Sequence, residues 1–90
     1  MACLPAKAFA QSNDSFCRNY ATESVEMQSL NLEYNCGYTG LRWHTWWEVH
    51  FGWCRDWAER ARVQEEAVLR RVQIERCSRD NGREYRRGDR

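Results

Sequence analysis

Residues 41–61 read LRWHTWWEVHFGWCRDWAERA and hold all five tryptophans, both histidines and one of the five cysteines. At roughly 100° per residue, Trp43, Trp46, Trp47, His50, Trp53, Cys54, Trp57 and Ala61 fall within an arc of about 120°. That spacing describes one helix with one heavy apolar face, and a chain of 90 residues has to fold around it. The fold class that follows is all-α: a small disulfide-stapled helical hairpin or three-helix domain with a Trp-rich core helix.

Working outward, Thr45-Trp46-Trp47-Glu48 fits a capping box, in which the Thr hydroxyl caps the backbone and Glu48 reaches back. The helix is expected over about 44–56. No Pro occurs between Trp43 and Cys77, so propensity alone would allow a single long helix. The phase argues against it. Val68 and Val72 continue the tryptophan face, but Glu65 falls on it too, and Val63, Ala67, Ile74 and Cys77 lie opposite. A break is therefore expected between Asp56 and Gln64, with a third helix over about 60–77. The charges Asp56, Glu59, Arg60, Arg62, Glu65, Glu66, Arg70 and Arg71 alternate in sign and read as a solvated face with i,i+4 pairs.

Toward the N-terminus, Ser12, Asn13 and Asp14 are good N-cap residues. Phe16, Cys17, Tyr20, Ala21, Ser24, Met27, Asn31 and Tyr34 then keep helical spacing. Cys36-Gly37 supplies a stop, because glycine adopts the left-handed conformation that closes a helix. A first helix over about 13–36 follows. The tight connection Tyr38-Thr39-Gly40 makes it an antiparallel neighbour of the second.

The two ends read differently. Residues 1–10, MACLPAKAFA, finish in Ala8-Phe9-Ala10 and match the end of a secretory leader, with cleavage before Gln11. Residues 11–78 form the helical four-Cys domain. Residues 79–90 are polar and Arg-rich, and are expected to stay flexible. Arg87-Gly88-Asp89 matches an adhesion tripeptide, at the level of chance in such a tail.

Composition bounds the function. With 14 basic and 13 acidic residues, the chain lacks the net basic footprint of a nucleic-acid binder. No apolar run approaches the ~20 residues of a membrane span. Removing residues 1–10 removes Cys3 and leaves Cys17, Cys36, Cys54 and Cys77, an even set that reads as two disulfides in an oxidising compartment, periplasmic or secreted. Up-down-up helices favour Cys17–Cys54 with Cys36–Cys77. If helix 2 runs back directly from residue 45, however, Cys54 lies level with residue 26 of helix 1. Cys17–Cys77 with Cys36–Cys54 therefore stays open.

Further motifs then appear. Cys17-Arg18-Asn19-Tyr20-Ala21, Cys36-Gly37-Tyr38-Thr39-Gly40 with Arg42-Trp43, His50-Phe51-Gly52-Trp53-Cys54, and a final Cys77 resemble short exported four-cysteine helical proteins of alphaproteobacteria. Leu41 stands where that pattern has Pro in the turn. The resemblance implies an exported small helical protein; it brings no activity and no functional residue with it.

The chemical candidates are few. Cys36, His44, His50 and Cys54 could supply a tetrahedral zinc site, but no CxxC or HxxxH doublet supports it. Disulfides plus a packed histidine account for the same residues. Haem attachment would need C-x-x-C-H, and no phosphate loop, nucleophile elbow or HExxH is present. The reading is a non-enzymatic protein without a cofactor. The tryptophans Trp43, Trp46, Trp47, Trp53 and Trp57 form either a core wedge or, with Trp43 and Trp57 at its ends exposed, a hot spot for a protein partner in the bacterial envelope. Stacking on cell-wall sugars is the competing use of the same surface.

Overall fold

The computed structural model describes the backbone of residues 6–88 and the side chains of residues 13–81. It is all-helical over these residues: α1 (Ala6–Glu33), a short α2 (Trp47–Gly52) that runs into a π-helical turn (Trp53–Trp57), and α3 (Arg60–Gly88). No helix among them is long and apolar enough to cross a membrane.

α1 starts at Ala6, not near residue 13. Ala6, Lys7, Ala8, Ala10 and Gln11 are strong helix formers, so propensity carries the helix past the expected cap. The rest of the expected leader remnant, residues 1–5, lies outside the described residues. The stop also differs from expectation. Asn35 takes the left-handed conformation (φ 54°). The Cys36 amide donates to the Asn31 carbonyl at 2.9 Å and the Asn35 amide to Leu32 at 3.2 Å. That bonding is a Schellman closure, with Asn in the place Gly usually takes. Gly37 (φ 79°) serves the loop that follows.

Asn31 also latches that loop. Its side-chain oxygen accepts the Tyr38 amide at 3.1 Å and its nitrogen donates to the Tyr38 carbonyl at 2.8 Å. Asn31 is buried, so Asn31→Ala strands two backbone groups. We expect a loss of about 1–3 kcal/mol in urea unfolding; an unchanged midpoint would contradict the latch.

The loop over 34–46 climbs along α1, so that Trp47 lies level with Thr22 and donates its indole N–H to that hydroxyl at 3.0 Å. This climb removes the register difficulty in the sequence: Cys54 reaches Cys17 (Cα–Cα 5.5 Å) and Cys36 reaches Cys77 (Cα–Cα 5.8 Å). The Cys17–Cys77 with Cys36–Cys54 pairing is not formed. Two bridges fit a non-reducing environment.

The capping box is absent. Trp46 occupies the N-cap of α2 and makes no side-chain cap bond. The His44 ring competes successfully: its Nδ1 accepts the Trp46 amide at 3.2 Å. Thr45→Ala is therefore expected to shift the thermal midpoint by no more than a surface substitution does, within about 0.5 kcal/mol.

The expected break falls at Ala58 and Glu59. The Ala58 amide bonds Trp53, five residues back, at 3.0 Å, and Ala58 is extended (φ −106°, ψ 144°). α3 then packs parallel to α1. Glu23 meets Arg71, Ser24 meets Arg70, and Asn81 donates to the Tyr34 carbonyl. α3 continues as helix to Gly88 where a flexible tail was expected. A helix already formed extends without a new nucleus, and Arg and Glu favour it. The core at the junction is small: Cys17, Tyr20, Cys54 and Val63, flanked by Phe16, Phe51, Trp53, Ala58 and Ala67.

Candidate functional site

The tryptophans do not share one face. Trp43 lies in the climbing loop, only 7% exposed, its ring stacked on Tyr38 at 4.9 Å. This corrects the expectation that Trp43 ends an exposed cluster. The loop folds it against the helices because Tyr38 is itself tied down, its hydroxyl donating to the Gln73 carbonyl at 3.1 Å. Trp47 and Trp53 are half-buried: Trp47 stacks on Phe51 at 5.1 Å and Trp53 lies 5.7 Å from Tyr20. Trp46 and Trp57 are the exposed pair, at 69% and 84%. The π-helical turn over Trp53–Trp57 takes more residues per turn than an α-helix, and Trp57 lies off the buried face while Cys54 stays in it.

Beside Trp43 and Trp53 opens a cleft of about 490 Å³, within the range of ligand sites. Leu41, Trp43, Val49 and Trp53 give it apolar walls, and His50, Glu66 and Arg70 give it a polar floor. Leu41 and Val49 are themselves exposed.

The floor is built from charges that the sequence placed on a solvated face. Arg70 is 3% exposed and Glu66 is also buried. The Arg70 guanidinium donates to the Tyr20 hydroxyl at 2.7 Å, to Ser24 Oγ at 2.9 Å and to the Arg42 carbonyl at 3.1 Å. Glu66 receives both the Nε and an Nη of Arg42, the latter at 2.9 Å, and lies 3.6 Å from Arg62. Its bond to Arg42 holds the Glu66 carboxyl below the usual carboxylate range, against burial. Counting α3 positions 63, 66, 70, 74 and 77, the buried residues follow helical spacing through both charges. The signal available was the apolar series Val63, Ile74, Cys77, whose stripe also passes through Glu66 and Arg70.

His44 and His50 stack face to face, with ring centroids 4.0 Å apart. His50 Nε2 bonds the His44 carbonyl at 3.0 Å; with that carbonyl as acceptor, the proton sits on Nε2. Burial pushes the His50 pKa down to about 4, and the nearby Arg70 and His44 charges act the same way. Burial, then Arg70, also lowers His44. Both rings are neutral in the fold, so the unfolded chain binds more protons once the pH drops below the ordinary histidine value of 6.5. Their contribution to stability is complete above that value and is lost as the pH falls towards 4. Glu66 adds to the loss at the acid end, because its lowered pKa is stabilising only while it stays ionised. Thermal midpoints should fall steadily between about pH 7 and pH 4.5, and His50→Asn should flatten the slope. A midpoint that rises on acidification would contradict the neutral stack.

The four metal candidates are not brought together as a ligand set. Cys36 and Cys54 belong to separate bridges, which leaves no thiolate at either, and His44 and His50 face each other as stacked rings. Among the described residues no group of three His, Cys, Asp or Glu is placed to hold a metal ion. No known protein family matches the chain, and neither curated proteins nor solved structures give a match.

Proposed function

We propose that the chain is a non-enzymatic exported helical module, an accessory subunit or protein-binding module of the bacterial envelope. The observation that carries this reading is the apolar lip of the cleft. Leu41, at 91% exposure, and Val49 both line the cleft and hold large apolar side chains in water at its mouth. Exposed apolar side chains at the mouth of a cleft are what a partner's side chain would cover. Periplasmic or secreted placement is supported by the two disulfides and by the four-cysteine resemblance.

The test is affinity capture from the native envelope, with wild type compared against a Leu41→Ser, Val49→Ser double variant. A protein retained by wild type and lost by the variant supports the reading. Recovery of the chain alone, as a soluble monomer, counts against it. A second reading, cell-wall sugar binding, is favoured by the exposure of Trp57 and Trp46, two indoles open to stacking. It predicts fluorescence quenching by millimolar sugars that Trp57→Ala reduces.

A further inference from the structure

We infer that the cleft recognises a carboxylate carried on an apolar body, with the carboxylate held by Arg62 and Arg70 and the body lying against Leu41, Trp43 and Val49. This rests on the cleft being the binding surface. Arg42, Arg62 and Arg70 face the cleft against one carboxylate, Glu66. With both histidines neutral, the walls carry a formal charge of +2, counted as three cations less one anion. Cationic groups set among apolar walls of low dielectric concentrate their field on an entering anion.

Glu66 serves Arg42 and Arg62 together. Arg70 donates only to neutral acceptors: a serine hydroxyl, a phenol and a backbone carbonyl. Among the described residues no carboxylate lies within ion-pair distance of it. A guanidinium has five N–H donors in a fixed fork that matches a carboxylate, and Arg70 uses three of them in these bonds. Arg62 is mostly exposed at the rim, 3.6 Å from Glu66, and is free to turn to a second anion at little cost.

An inorganic anion would satisfy the arginines and leave Leu41 and Val49 in water. A monoanion with an apolar tail uses both halves. Two sources share that chemistry: the C-terminal carboxylate of a polypeptide ending in an apolar residue, and a free amphipathic acid.

The experiment uses the full oxidised chain and follows the tryptophan indole N–H signals by NMR. The probes are N-acetyl-leucine, its carboxamide, octanoate and a pentapeptide ending in leucine. The acids should bind at least about tenfold tighter than the matching amide. Arg62→Gln should weaken the acids by about fivefold and leave the amide alone. Glu66→Gln removes the competing negative charge and should tighten the acids several-fold. If the pentapeptide exceeds N-acetyl-leucine, the source is a polypeptide end; if octanoate is tightest, it is a free acid. Equal binding of acid and amide overturns the inference while leaving the lip as a partner surface. No acid binding up to about 10 mM, or acid affinity unmoved by both variants, also overturns it. Failure of the underlying reading shows separately, as envelope capture that ignores the Leu41→Ser, Val49→Ser change.

Discussion

Reduction of the Cys17–Cys54 bridge is expected to unfold the protein. The buried apolar core at the α1–α2–α3 junction is little more than these two cysteines, Tyr20 and Val63. A chain this small buries too little to hold itself together without staples. α2 has six residues, fewer than an isolated helix needs to persist, and the bridge is its covalent tie to α1. The separation of 37 residues corresponds to about 4 kcal/mol of loop entropy removed from the unfolded chain. That is close to the whole net stability of a domain of this size, about 5 kcal/mol. Cys17→Ala with Cys54→Ala should therefore populate unfolded chain at room temperature, read as lost helical circular dichroism and lost dispersion of the tryptophan signals. The separation of 41 at Cys36–Cys77 gives nearly the same entropy. There, however, the Asn31–Tyr38 latch, Tyr38 on Gln73 and Asn81 on Tyr34 hold the same end. Its removal should cost that entropy, about 4 kcal/mol, without the core packing that Cys17 and Cys54 also supply, and leave a marginally folded protein. A reduced chain that melts at the oxidised temperature would show that packing alone suffices.

The elements and the set of four bridging cysteines were legible because they rest on local signals, whereas the pairing turned on the course of the loop. Helical periodicity over 16–34 and 63–77 marks α1 and α3, and the change of apolar phase marks the break that appears at Ala58. What was not legible turns on competition between neighbours. Thr45 and His44 both offer an acceptor to the start of α2, and only the loop's course decides for the imidazole. Asn35 and Gly37 both tolerate a positive φ, and both take one; the earlier one ends the helix. The tryptophan arc assumed a regular helix from 41 to 61. A climbing loop before Trp47 and a π-helical turn after Gly52 break that assumption at both ends, and they exchange which indoles are buried. The cleft was hidden for a further reason. Its arginines look like the solvated charges around them, and nothing local separates Arg70 from Arg71. Tertiary packing buries the one against Tyr20 and Ser24 and leaves the other paired to Glu23 at the surface.

Arg70 is the residue whose loss should be felt next most strongly. It joins all three parts of the fold: α1 through Tyr20 and Ser24, the climbing loop through the Arg42 carbonyl, and α3 through its own backbone. Its guanidinium also lies 5.1 Å from the Tyr20 ring centroid. Removing it at Arg70→Ala leaves the Tyr20 hydroxyl and the Arg42 carbonyl without their partner, while Ser24 keeps its bond to the Tyr20 carbonyl. It also opens space in the floor. Two stranded polar groups and lost packing amount to about 3–4 kcal/mol. Arg70→Lys should recover less than half of that. Its three acceptors are spread over α1 and the climbing loop, and a single ammonium cannot span the positions that a fork reaches. Arg70→Met fills the space and separates the two effects, because it restores packing without restoring bonds. Urea unfolding of the three variants should therefore rank Ala lowest, Lys and Met between, and wild type highest. Wild-type stability in Arg70→Ala would mean that the buried guanidinium holds nothing together.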